Sequence, residues 1–223
     1  GIATGSPVRY NPGGVAGVYA PENTRAALFA AMQRKETFGT SGPRITPRFF
    51  AGWNLPPDLC QQSEWLATAY RDGVPMGGDL PTAPGFDGGP VFLASASKDS
   101  RDGSMPLQRI QVVKGWLDEQ GQTQQAVYDI AGNPDNGASV DLRTCAVSGA
   151  GFSQLCATWR DPDFNPESGA VYYARTLENP SCRWSQHDCI SLPATDRPAS
   201  CSDPELPRTI QERAWTSPIW YQP

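Results

Sequence analysis

The sequence predicts an α+β protein in which an antiparallel, Ig-like β-sandwich dominates and a short α/β piece precedes it. Three observations point there. Gly and Pro are abundant, at 22 each in 223 residues, while hydrophobic residues reach only 39%, which suits a loop-rich β protein better than a helical bundle. About seven short runs of β-branched and aromatic residues follow one another from Val91 onward, separated by turn residues. Only residues 21–36 carry a helical pattern of any strength.

The helix of 21–36 (PENTRAALFAAMQRKE) has Asn23 or Thr24 as N-cap and Glu22 ahead of it. Ala27, Leu28, Ala31 and Met32 form its apolar face, and Arg34 and Lys35 suit the negative end of the dipole. The helix ends before Gly39. Residues 37–53 read as extended, broken by a turn at Thr40-Ser41-Gly42-Pro43. Gln61 to Arg71 suits a short helix or a strand. The glycines of Gly73-Val74-Pro75-Met76-Gly77-Gly78-Asp79-Leu80 require a bend or a close backbone approach. Strands are predicted at Val91–Ser97, Leu107–Leu117, Thr123–Ile130, Ser139–Cys145, Gln154–Arg160, Ala170–Leu177 and Arg213–Tyr221. The second and third form a hairpin around Asp118-Glu119-Gln120-Gly121. In 170–177 the paired Tyr172 and Tyr173 fall on opposite faces, which predicts a strand covered on both sides in the middle of the sandwich. This gives three regions: an α/β piece at 1–55, a loop-rich connector at 56–90 and the sandwich at 91–223. One helix with one or two strands cannot close a core. The first region must therefore pack on the sandwich or complete a larger α/β domain.

The formal net charge is -5, with no run of basic residues, so nucleic acid is not an expected partner. No apolar run reaches the length of a membrane-spanning helix. Six cysteines, Cys60, Cys145, Cys156, Cys182, Cys189 and Cys201, contain no C-x-x-C pair. An even number in a loop-rich chain predicts disulfides and a periplasmic or extracellular location. Local spacing favours Cys145 with Cys156, and Cys182 with Cys189 or Cys201. Gly1 to Gly5 carries neither a Met nor a signal-peptide pattern. The opening reads as the middle of a loop, as in a piece of a longer chain or a product of cleavage.

Residues able to carry chemistry are few. His187 is the only histidine, so H-E-x-x-H and three-His zinc sites are absent from these 223 residues. A mixed site with Cys182 and Cys189 is conceivable, but the spacing matches no zinc pattern. Asp161, Asp163 and Asn165 form a D-x-D-x-N loop that is a calcium candidate; the alternative is an Asx-rich turn. Arg44, after the Gly-Pro turn, is suited to an anionic group. Trp215, Trp220 and Tyr221 lie at strand spacing and suit a sugar platform or the sandwich core. No Walker loop, G-x-G-x-x-G or G-x-S-x-G elbow is present.

Several stretches together resemble a known family. They are 22–28 (ENTRAAL), 34–45 (RKETFGTSGPRI), 73–80 (GVPMGGDL), 110–116 (IQVVKGW), the segment through Cys182-Arg183-Trp184, and 211–221 (QERAWTSPIWY). The family is the bacterial domain-of-unknown-function family 3604. Its members are longer, typically carry a secretory signal, and resemble PHP (polymerase and histidinol phosphatase) metal-dependent phosphoesterases in their N-terminal part. The resemblance implies that residues 1–55 are the last elements of a PHP-like α/β barrel. It also implies that the divalent metal lies in an N-terminal part, because the H-x-H and D-x-H motifs have no counterpart here. Thr40, Ser41 and Arg44 would then contact an anionic substrate at the barrel rim, and no catalytic residue would lie in this chain. Its partner would be the N-terminal part of the same protein, or a copurifying chain that carries it; a second copy of the chain is a further candidate. The expected function is that of the C-terminal part of a secreted or periplasmic metal-dependent hydrolase. The alternative is a non-catalytic β-sandwich that binds a protein or glycan or serves as a structural subunit.

Overall fold

The computed structural model describes residues 10, 13–82, 85 and 88–223. The parts of the expected loops at 1–9, 11–12, 83–84 and 86–87 lie outside the described residues. In chain order, β1 (Val15–Val18) leads to helix α1 (Arg25–Gln33), then β2 (Thr37–Thr40) and β3 (Thr46–Gly52). A 3-10 turn at Leu59–Gln61 precedes α2 (Trp65–Asp72) and the short β4 (Val74–Pro75) and β5 (Asp79–Leu80). The long strands follow: β6 (Val91–Ser97), β7 (Leu107–Leu117) and β8 (Thr123–Gly132). Next come β9 (Ser139–Val140), β10 (Val147–Ser148), β11 (Gln154–Arg160) and β12 (Ala170–Glu178). Finally β13 (Ser181–Cys182), α3 (Trp184–Ser191), β14 (Thr209–Ile210), β15 (Arg213–Thr216) and β16 (Ile219–Tyr221) close the chain.

Two sheets face each other, and neither closes into a barrel. The larger has eight strands, and β12 is its spine: one edge pairs with β7, which pairs in turn with β8. The other edge of β12 forks. Residues 175–177 pair with β15, which leads to β2 and β1, while residues 170–172 pair with β16, which leads to β5. The smaller sheet runs β11-β6-β3-β4. Strand pairing is antiparallel except for β16 with β5. Strands of residues 15–52 thus sit in both sheets, with β2 beside β15 and β3 beside β6.

Period-two patterning explains the layers. Phe49 and Ala51 of β3 and Phe92, Ala94 and Ala96 of β6 face the large sheet, where Ile110, Val112, Tyr172, Ala174 and Ile219 meet them. Phe50, Val91 and Leu93 point the other way and pack against Leu55, Leu59 and Ala69 from the 3-10 turn and α2. The small sheet is therefore a middle layer, and β6 (VFLASAS) is apolar on both faces because both are covered. Truncating Phe49 or Phe50 to Ala would cost about 3–5 kcal/mol.

Helix α1 is shorter than the predicted 21–36. Thr24 is its cap, accepting the amide of Ala27 at 3.3 Å. Its end is a Schellman closure, with Lys35 N–H bonded to Met32 C=O and Glu36 N–H to Ala31 C=O. The left-handed residue there is Lys35 (φ 57), not a glycine. Of the predicted apolar face only Ala31 is buried; Met32 is exposed. Gly77 makes the predicted close approach: its φ is +88, and a Cβ there would lie 2.4 Å from the Lys35 carbonyl oxygen.

Three expectations are corrected. Ser139–Cys145 is not one strand, because Asp141 to Ala146 form a turn closed by Asp141 N–H to Ala146 C=O, with Cys145 at φ 57. Arg213–Tyr221 is two strands, broken at Ser217-Pro218, where Ser217 N–H and Pro218 C=O bond to Thr37 and Gly77 instead. The cysteines pair as Cys60–Cys156, Cys145–Cys182 and Cys189–Cys201, so none of the pairings favoured by local spacing occurs. The first bond ties the helical layer to β11 across 96 residues. All six cysteines are bonded, the mark of an oxidising compartment. Among the described residues no helix is long and apolar enough to cross a membrane.

Candidate functional site

The turn at 40–45 is a corner where the chain leaves the large sheet and enters the small one. Two side chains hold it. Thr40 Oγ1 accepts the amide of Gly42 at 3.3 Å. Ser41 Oγ accepts the amide of Arg213 at 2.8 Å and donates to the Arg213 carbonyl. The hydroxyls of Thr40 and Ser41 are therefore engaged by the fold. Arg44 binds the corner through its backbone, its amide donating to Asp99 Oδ2 at 2.8 Å. Its side chain is exposed, and its guanidinium has no hydrogen-bond partner among the described residues.

Asp99 lies just beyond β6 and is buried. Arg101 donates to it from Nε at 2.8 Å and Nη2 at 2.6 Å, and its backbone amide adds a third bond at 2.9 Å. These bonds, the guanidinium's first, outweigh burial and hold the Asp99 carboxyl well below the usual carboxylate range. Ser104 Oγ donates to the Asp99 carbonyl at 2.5 Å and accepts from Lys98 Nζ at 2.8 Å, which fixes the 98–104 loop.

That loop and the corner wall a cavity of about 340 Å³ whose other lining residues include Glu178, Glu212 and His187. Glu178 ends β12 on the strand's buried face, the face of Ala170, Tyr172, Ala174 and Thr176. Glu212 immediately precedes β15. The β12–β15 register places Leu177 opposite Arg213, and Glu178 N–H continues the ladder by donating to Glu212 C=O at 2.9 Å. The two glutamates are thus cross-strand neighbours. Glu178 is 1% exposed. Glu178 Oε1 and Glu212 Oε2 are buried without a hydrogen-bond partner. Burial first, then the Glu212 and Asp99 charges, push the Glu178 carboxyl up to about 8.

A family model described as "Protein of unknown function (DUF3604)" matches residues 2–223. The chain belongs to the DUF3604 family. No curated protein and no solved structure matches it.

Elsewhere in this DUF3604 chain, the D-x-D-x-N loop meets a cation that the protein itself supplies. Lys114 Nζ lies 2.7 Å from Asp161 Oδ2, and both residues are buried. Tyr172, which faces Lys114 across the β12–β7 ladder, donates its hydroxyl to the same oxygen at 2.7 Å. Burial first, then that bond to the carboxylate, push the Tyr172 phenol upward. Asp161 Oδ1 accepts the Asp163 amide and Asn165 Oδ1 the Glu167 amide, so the loop is a pair of Asx turns. Lys114 also donates to the Asp163 carbonyl at 2.8 Å, and Tyr128 donates to Asp163 Oδ2 at 3.1 Å. This network floors a cleft of about 700 Å³ with Trp116 and Phe164 among its walls.

Among the described residues, the one group of His, Cys, Asp or Glu that converges as a metal site would is Cys145, Cys182 and His187. Its two sulfurs are joined in a disulfide, so they offer no thiolates, and the residues present do not fit a catalytic divalent metal. Sequence reading missed Glu178 and Glu212 because they stand 34 residues apart and each looks like an ordinary strand-end charge. One signal was available: continuing the alternation of 170–177 by one step puts Glu178 on the inward face.

Proposed function

We propose that this chain is the C-terminal part of a secreted or periplasmic metal-dependent hydrolase related to PHP phosphoesterases, its metal held by residues outside this sequence. Membership of the DUF3604 family and the sequence resemblance of that family to PHP proteins support the reading. The observation that carries it is the corner at 40–45. Arg44 offers an exposed guanidinium there, and its neighbour Pro43 lines a cavity that holds two carboxyl groups with unpartnered buried oxygens. Such a pairing of a cation with acid groups suits binding and hydrolysis of a phosphoester. Thr40 and Ser41 shape the corner and leave Arg44 to contact the anion.

The test is Arg44→Ala in the complete protein, assayed with p-nitrophenyl phosphate and manganese. Losing a charge-assisted contact of about 1.5–3 kcal/mol lowers kcat/KM by roughly tenfold to a hundredfold, with metal content by mass spectrometry unchanged. Unaltered kinetics would refute the role of Arg44.

A second reading, a glycan-binding module, draws on Trp220, which is 41% exposed and shares an apolar hollow with Trp116. Tyr221 also lines the hollow, but its side chain is buried in the core. Quenching of tryptophan fluorescence by oligosaccharides, lost in Trp220→Ala, would favour this reading. Copurification of a polypeptide carrying H-x-H would favour the hydrolase.

A further inference from the structure

We propose that Glu178 and Glu212 form a carboxyl pair holding one proton, and that Glu178 donates it to the leaving oxygen of a phosphoester seated in the cavity. This rests on the hydrolase reading above and adds the proton donor to it.

The geometry carries the argument. Like charges directly opposite each other on neighbouring strands repel, and here burial removes the water that would screen them. Two oxygens, one on each glutamate, lack a hydrogen-bond partner. Glu178 is almost wholly buried and lines a cavity large enough for a small ligand. A buried, unpartnered side chain that lines a cavity is a group reserved for something that enters. The groups facing it are consistent with a proton rather than a second negative charge. Glu212 and Asp99 raise its hold on a proton, and Lys98 and Arg101 oppose them less strongly. Asp102 and His187 complete the titratable lining. Arg101 spends one edge of its guanidinium on Asp99 and leaves the side chain 62% exposed, able to meet the phosphoryl oxygens.

The step balances without any co-reactant beyond water. The water oxygen bonds to phosphorus as the bond from phosphorus to the leaving oxygen breaks. The leaving oxygen takes the proton of Glu178, and the attacking water gives a proton to the Glu212 carboxylate. Transfer of that proton from Glu212 to Glu178 restores the pair.

Two measurements test this. In the first, the chain is labelled with ¹³C at the glutamate carboxyl carbons and titrated by NMR. One resonance should titrate near neutrality or above, vanish in Glu178→Gln, and move to lower pH in Glu212→Gln. If every glutamate titrates below about pH 6, the pair holds no proton and the proposal falls. It also falls if magnesium, manganese or calcium shifts that resonance at neutral pH, since the site would then be a cation site. In the second, the complete protein is assayed with manganese for phosphate release from β-glycerophosphate, an alkyl ester whose leaving oxygen needs a proton. Glu178→Gln should lower kcat/KM by roughly a hundredfold or more and remove the alkaline limb of the pH profile; Glu212→Gln should move that limb to lower pH. Full activity in Glu178→Gln overturns the proton-donor role and leaves the hydrolase reading standing. No hydrolysis by the wild type overturns both, while the NMR result still decides whether the pair holds a proton.

Discussion

Replacing Glu178 by Gln should turn a pH-dependent stability into a flat one. In the folded protein burial and the Glu212 and Asp99 charges raise this carboxyl from its ordinary 4.5 to about 8. The fold therefore holds the proton more tightly than the unfolded chain does. The contribution of protonated Glu178 is complete below pH 4.5 and is lost as pH rises from there through 8. Between those limits the wild type loses about 1.4 kcal/mol per pH unit relative to a variant that cannot ionise, or about 5 kcal/mol in all. Water entering the cavity reduces this to several kcal/mol. Gln keeps the size and the hydrogen-bonding tip and has nothing to ionise. The assay is urea denaturation of both proteins at pH 5, 7 and 9. Near-equal stability at pH 5 and a lead for Glu178→Gln that widens to pH 9 is the expected result. Parallel behaviour across that range would refute the reasoning that the pair is desolvated and coupled.

Other predictions follow from the same structure. Lys114→Met should cost about 3–5 kcal/mol by leaving the buried Asp161 without its cation, held only by the Tyr172 hydroxyl and the Asp163 amide, whereas Lys114→Met with Asp161→Leu should recover most of that in a double-mutant cycle. Replacing both Cys60 and Cys156 by Ser should cost about 4–5 kcal/mol, against about 3 kcal/mol for the Cys189–Cys201 pair, because the first bond closes the longer loop; denaturant midpoints compare the two. Lys35→Gly should stabilise the protein by about 1 kcal/mol, read as a rise in melting temperature, since only glycine occupies that left-handed position without penalty. Gly77→Ala should destabilise by more than about 1 kcal/mol, because the added methyl meets the Lys35 carbonyl and the left-handed backbone disfavours it.

What the sequence revealed was whatever depends on near neighbours. Val91–Ser97, Leu107–Leu117 and Gln154–Arg160 have the predicted bounds because period-two patterning over seven or more residues is a local signal. Ala170–Glu178 extends the prediction by one residue, and that residue is the one that matters at the cavity. The expectation that both faces of this strand are covered holds for Tyr172, which is buried, and less for Tyr173, which is half-buried. Helix α3 went unpredicted because WSQHDCIS has no apolar stripe; its buried residues are Ser185, Gln186 and Cys189. The disulfides were misread because nearness in sequence was taken for nearness in space. Cys156 lies on β11, and the partner it meets rises from the helical layer behind the small sheet. Arg44, singled out by the Gly-Pro turn before it and by resemblance, follows the cavity-lining Pro43, while the hydroxyls of Thr40 and Ser41 are bonded within the corner.

The forked edge of β12 also makes the large sheet depend on strands distant in the chain. β2 takes β15 as a neighbour, and β5 takes β16; both partners come from residues 213–221, far along the chain. β12 itself has β7 ready when it emerges, but its opposite edge stays open until residues 213–221 are made. A chain lacking residues 213–221 would carry nearly all of the core residues and still expose unpaired strand edges. The large sheet is thus completed only when residues 213–221 join it. Truncations that remove residues 213–221 are therefore the ones most prone to aggregate.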